Sequence, residues 1–159
     1  MAITRFDIVS DTHGYLSYGL LAELEGADYI MHAGDMIHRE QYMELARIAP
    51  IYMCLGNNDW SFEFKGLASA KVTVKLAGLT WQLCHYKDRL ETRGIDVAIC
   101  GHTHRPFTEK GPRGTLIMNP GSPTYPRTQM GPTMGRIMVE DGKVLSAEII
   151  QLPGYGDES

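Results

Sequence analysis

Five short strand-like runs in this chain each stop at a polar turn that carries an aspartate, an asparagine or a histidine. Residues 3–10 lead into Asp11-Thr12-His13-Gly14, residues 28–31 into His32-Ala33-Gly34-Asp35, and residues 51–55 into Gly56-Asn57-Asn58-Asp59. Residues 79–84 end at His85, and residues 95–100 at Gly101-His102-Thr103-His104. Few folds accept this pattern, because groups that need hydrogen bonds or a ligand must lie where strands end and not inside a core. In an open α/β sheet the carboxyl ends of the strands share one rim, and ligands bind there. Side chains far apart in sequence can therefore meet.

The connections agree. Leu16, Leu20, Leu21 and Leu24 fall near helical spacing and predict a helix over 15–24 closed by Gly26. Tyr42, Leu45, Ala46 and Ala49 predict a second helix over 39–48, stopped by Pro50. Strand, helix, strand, helix, strand favours parallel pairing with helices on the face. The second half reads differently. Residues 71–76 alternate polar and apolar, turn at Ala77-Gly78 and continue over 79–84. Short runs at 106–108 and 115–118 flank a Gly111–Gly114 turn, and 135–140 and 143–150 flank Asp141-Gly142, a two-residue hairpin signal. These hairpins predict antiparallel additions and a second sheet. At 159 residues the chain accommodates one domain with a proper core, expected over 1–152, and a polar tail over 153–159 expected to be flexible.

Composition excludes several classes of function. The net charge of −4 gives no basic stripe for stable nucleic-acid binding or adhesion to anionic lipid. No apolar run is long enough to span a bilayer, and Asp7 follows the amino terminus too soon for a signal peptide, so a cytoplasmic location is expected. Cys54, Cys84 and Cys100 fall in apolar strand-like runs as small hydrophobes, with no disulfide framework.

Asp11, His13, Asp35, Asn57, His85, His102 and His104 are seven donors of three residue classes, more than one zinc site requires. Two divalent ions sharing a carboxylate fit the set better. In this combination and order the motifs resemble those of the calcineurin-like metallophosphoesterases, and the short chain is most similar to the small YfcE-like phosphodiesterase group within them. Asn119-Pro120-Gly121-Ser122 is a later landmark of the same kind. The resemblance implies an α/β fold, a four-layer αββα sandwich of two mixed β-sheets flanked by helices, with a dinuclear centre at the sheet rims. It implies that Asp11, His13 and His104 hold one ion, that Asn57, His85 and His102 hold the other, and that Asp35 bridges them. Asp35, Asn57 and His85 are the expected catalytic positions. Two divalent cations less two carboxylates and a bridging hydroxide leave about one positive charge to attract a phosphate. The expected reaction is hydrolysis of a small phosphodiester, and also of monoesters, by the metal-bridging hydroxide. Manganese is the first expectation for the metal; Fe, Zn, Ni or Co suit the same N/O donors.

Two positions depart from the family pattern. Many relatives carry histidine where this chain has Asn58, which has no titratable proton to give a leaving group; activated or cyclic esters are therefore expected to be favoured. Relatives usually carry glycine where this chain has Tyr86 beside His85, and its ring is expected to narrow the mouth or stack on a base. His38 and Arg39 are further candidates, the first as a substitute acid and the second as a phosphate-binding guanidinium. His32 is expected to hydrogen-bond behind the ligands or to fill a satisfied core position, and not to coordinate. Trp60, Phe62 and Phe64 are candidates for a substrate wall or a loop anchor. The competing readings are a non-catalytic protein-binding scaffold on the same fold, which typically loses ligand histidines, and a nuclease.

Overall fold

A computed structural model describes residues 2–154. Eleven strands form two mixed sheets, with the strand order β11-β10-β1-β2-β3-β4 in the first and β5-β6-β7-β9-β8 in the second. The first sheet contains β1 (Thr4–Val9), β2 (Tyr29–His32), β3 (Ile51–Cys54), β4 (Ala68–Ser69), β10 (Thr133–Glu140) and β11 (Lys143–Gln151). The second contains β5 (Lys71–Leu76), β6 (Leu79–Cys84), β7 (Val97–Ile99), β8 (Phe107–Lys110) and β9 (Leu116–Asn119). β1, β2 and β3 pair in parallel, as do β6, β7 and β9. Each sheet therefore brings three strand ends to one edge, while the hairpins β5–β6, β8–β9 and β10–β11 add antiparallel strands.

The inner faces of both sheets make one core. Phe6 stacks on Trp81 across the sheets at 4.1 Å, and on Tyr29 at 5.0 Å. The buried indole N–H donates to the Leu76 carbonyl at 3.1 Å, so the large apolar ring is buried without an orphaned donor. Helices α1 (Tyr18–Leu24) and α2 (Arg39–Ala46) cover the outer face of the first sheet, where Leu20, Leu24 and Leu45 pack with Val9, Ile30 and Met53. Helix α1 starts later than the leucine spacing predicts, because Ser17 Oγ accepts from Leu20 N–H at 3.1 Å and caps it. Helix α2 gives way after Ala46 to a closing turn before Pro50. Outside the second sheet the fourth layer is a 3₁₀ turn (Lys87–Arg89) and the segment after it. The outward residues of β5, Lys71, Thr73 and Lys75, offer no apolar stripe for a helix, and the buried Gln82 amide binds Glu91 through two hydrogen bonds instead.

An ionic cluster ties α1 to its sheet. Asp7 is fully buried on β1 and accepts from Arg5 at 2.7 Å and from Arg136 of β10 at 2.8 Å. The same guanidiniums donate to the Glu23 and Glu25 carbonyls at the end of α1, which have no helical partner of their own. At the carboxyl end of the chain Leu152 is buried and bonded to the Pro132 carbonyl. Pro153, where the expected tail begins, lies against Gly19. The remainder of that tail, 155–159, falls outside the described residues. Among the described residues no helix is long and apolar enough to cross a membrane.

Candidate metal centre

The turns after β1 and β2 run side by side. Asp11 N–H donates to the Gly34 carbonyl, His13 N–H to that of Asp35 and Gly14 N–H to that of Met36, each at 2.9 Å. The turn after β3 is bound to them by the Asp59 carboxylate, which accepts the N–H groups of Asp35 (2.7 Å), Met36 (2.9 Å), Ile37 (2.8 Å) and Gly56 (2.8 Å). The backbone is forced into unusual shapes here. Asp11, His13, Asp35, Ile37, His102 and His104 all have positive φ, a region non-glycine residues occupy at a cost and mostly at functional sites. Glycine is required where turns touch: a Cβ on Gly34, itself at φ +103°, would come within 2.7 Å of Gly56 N and 2.8 Å of His85 Nδ1.

The second sheet presses its own turns against this edge. His85 Nδ1 faces the Ala33 carbonyl at 2.7 Å, and His104 Nδ1 faces the Tyr125 carbonyl at 2.7 Å. A carbonyl only accepts, so both Nδ1 atoms carry hydrogen, and in the neutral rings both Nε2 atoms present a lone pair to the centre. Asp11 Oδ2 accepts from Ser10 Oγ at 2.6 Å and from His102 N–H at 3.0 Å, which leaves Oδ1 directed at the histidines. The landmark at residues 119–122 is a strap behind these turns. Asn119 Nδ2 donates to the Gly101 carbonyl at 3.0 Å, and Ser122 Oγ donates to the Asp11 carbonyl at 2.8 Å.

Five expected ligands converge. Asp11, His13 and His104 form one group with ligand atoms within 4.8 Å of one another, and Asp11, Asp35 and His85 form another. Asp35 Oδ2 stands 3.6 Å from His13 Nε2 and 3.5 Å from His85 Nε2, while Asp11 Oδ1 stands 3.3 Å from His104 Nε2. Both carboxylates thus reach both histidine sets. The His102 ring lies 5.2 Å from that of His85, at the outer edge, and Asn57 is exposed on its turn. The amide that reaches Asp35 is that of Asn58, whose Nδ2 donates to Oδ2 at 3.0 Å and whose N–H donates to Oδ1 at 2.9 Å.

The residues present fit divalent cations. Asp11 Oδ1 and His85 Nε2 are buried and lack hydrogen-bond partners, although buried polar atoms are rarely left so. Bare imidazole nitrogens beside carboxylate oxygens repel unless positive charge stands between them. Burial opposes ionisation of His85, but Asp35 and Asp11 outweigh it and raise its pKa; the Asp11 carboxylate beside His104 raises that of His104 against burial. Burial would likewise raise Asp35, yet His85 and the Asn58 N–H groups hold it well below the usual carboxylate range.

The remaining candidates surround this centre. Ser10, Asp59 and Tyr125 were not among the expected site residues; of these only Asp59 carried a signal, as an acid in the same turn as Asn57. His32 is fully buried: Gly34 N–H donates to its Nδ1, and its Nε2 meets Thr12 Oγ1 at 3.0 Å. His38 covers Gly14 and lines a cleft of about 300 Å³ with Asn58 and Trp60. Arg39 lines a different groove, with Glu44, Arg47 and Glu63. Tyr86 packs beside His102 at 4.8 Å. Phe64 is fully buried as a loop anchor, whereas Phe62 is exposed.

Comparison with known proteins places this geometry among relatives. The model of the calcineurin-like phosphoesterase superfamily domain matches residues 5–142. A probable metallophosphoesterase of Methanocaldococcus jannaschii is 32% identical over 158 residues, covering 91% of this chain and 80% of that protein. Among solved structures, a predicted phosphoesterase of Streptococcus pneumoniae superposes with a TM-score of 0.71 at 20% identity, over 98% of this chain and 95% of that one. The YfcE phosphoesterase of E. coli gives 0.65 at 20% identity, over 94% of this chain and 100% of that one. Vacuolar Protein Sorting 29 of Cryptosporidium parvum gives 0.67 at 17% identity, over 94% and 98%, so the fold alone is shared with these three.

Proposed function

Because the chain belongs to the calcineurin-like phosphoesterase superfamily, we propose that it hydrolyses small phosphodiesters, and monoesters more slowly, with two divalent cations held by Asp11, His13, Asp35, Asn57, His85, His102 and His104. The observation that carries this reading is the pair of unpartnered buried atoms, Asp11 Oδ1 and His85 Nε2, inside a shell of carboxylates and imidazoles. Cations bound there, manganese first among them, would supply Lewis acidity toward phosphoryl oxygens and a nucleophilic hydroxide near neutral pH. The protein's part is preparation. Ala33 and Tyr125 fix the two imidazoles so that Nε2 is the donor. Ser10 holds Asp11 by one oxygen, Asn58 holds Asp35 by both, and Asp59 locks the turns so that little reorganisation is left for the reaction.

Asn58 bears on the choice of ester. Its amide is engaged with Asp35 and has no proton to transfer, and His38, across the same cleft, is the one imidazole lining that side. Esters whose alcohol leaves unaided are therefore favoured, so rates fall steeply along a series of rising leaving-group pKa. Asn58→His recovers up to about 10²-fold on the poorest members. A flat series contradicts this.

The deciding assay reconstitutes the metal-free protein with manganese and measures an aryl phosphodiester beside the matching monoester. Hydrolysis is expected, faster for the diester, with Asn57→Ala lower by about 10²-fold. No turnover with any of the five metals would favour the scaffold reading that the fold of Vacuolar Protein Sorting 29 keeps open.

A further inference from the structure

Beyond His102 the rim opens into a cleft of about 310 Å³ lined by Tyr86, Phe107, Thr103 and Asn119, with Lys87 at its edge. It is continuous with the metal centre, since Tyr86 follows His85 and its ring lies 5.3 Å from His85 and 4.8 Å from His102. Asp88 also lines it, and Asn119 and Lys87 are already engaged. Asn119 Nδ2 donates to the Gly101 carbonyl and to Thr103 Oγ1, Asn119 Oδ1 accepts from Gly121 N–H, and Lys87 pairs with Glu109 at 2.7 Å. A guest that relied on hydrogen bonds to Asn119 would find none free. The rings remain, and cations lie against both: Lys87 Nζ is 4.8 Å from the Phe107 centroid, and the Arg89 guanidinium is 4.5 Å from that of Tyr86. The result is an aromatic slot whose charged edge carries both signs, Lys87 against Glu109 and Asp88, at the small end of ligand-pocket sizes and suited to one ring system but not to a stretch of polymer.

We infer that the cleft between Tyr86 and Phe107 seats a planar aromatic ring carried on the alcohol side of the phosphoester. This rests on the phosphoesterase reading above, which supplies the phosphoryl group beside His102, and it adds the part of the substrate that the metals do not touch. Tyr86 and Phe107 are then specificity residues that bind the ring and leave the reacting atoms to the metal ligands.

Calorimetric titration of the manganese-loaded protein with inorganic phosphate, methylphosphonate and phenylphosphonate tests it without turnover. Phenylphosphonate is expected to bind about tenfold or more tighter than methylphosphonate, the gain from burying one ring. Phe107→Ala and Tyr86→Leu, each checked for an intact thermal transition, are expected to bring that ratio within about twofold of unity, with Phe107→Leu intermediate. A wild-type ratio near one, or a ratio that both variants leave unchanged, overturns the cleft while inorganic phosphate binding upholds the metal centre. Failure of all three anions to bind overturns the phosphoesterase reading, and the cleft with it.

Discussion

Two nitrogens decide what His32 can do. With Nδ1 accepting from Gly34 and Nε2 donating to Thr12, the ring is neutral and fully buried, and burial pushes its pKa down to about 4 despite the nearby carboxylates of Asp59 and Asp11. In the unfolded chain an ordinary histidine takes up its proton near pH 6.5. The unfolded state therefore binds more protons between these values. The stability this ring contributes is complete above pH 6.5 and is lost as pH falls toward 4, by on the order of 3 kcal/mol. His85 and His104, with raised values, slope the other way, so the difference between wild type and His32→Asn isolates the effect. Urea titrations at a series of pH values should show the variant flatter over that window. The motifs made the converging Asp and His side chains legible because Asp and His at strand ends have few other uses. The support of the Asp11 side chain was not: Ser10 is an ordinary serine until the fold brings it to that carboxylate.

At the level of elements, the anchoring of α1 depends on one buried carboxylate. Asp7→Ala would leave Arg5 and Arg136 without their shared counter-charge, and we expect a loss of about 3 kcal/mol in urea unfolding, with Asp7→Asn intermediate. No periodicity announces this cluster, since Arg5 and Asp7 read as the outward positions of an ordinary strand. The parallel strands were legible because Val9, Ile30 and Met53 continue apolar runs buried between helix and sheet. Strand β4, Ala68–Ser69, was not, because two residues carry no period and its pairing with Met53 and Cys54 comes from the loop that Phe64 anchors. The thin layer outside the second sheet was written in Lys71, Thr73 and Lys75, which alternate as a solvated face does.

At the scale of the whole molecule, the donors come from both sheets: Asp11, His13 and Asp35 from the first, His85, His102 and His104 from the second. Bound cations would oppose separation of the sheets as well as serve the reaction. Removal of metal by a chelator is expected to lower the thermal midpoint by roughly 5–10 °C, and readdition to restore it, as for a ligand held at about a hundred times its dissociation constant. A midpoint that ignores the chelator would count against the centre. The hairpin signals revealed the second sheet, whereas its face-to-face seat on the first depends on Phe6 meeting Trp81, a contact that pattern alone does not specify. The three rungs that join the turn of Asp11 to the turn of Asp35 carry one last consequence. Those turns are matched in length, so inserting or deleting a single residue in either would misalign the other. Drift in chain length should instead accumulate elsewhere, as in the connection between Tyr125 and Thr133.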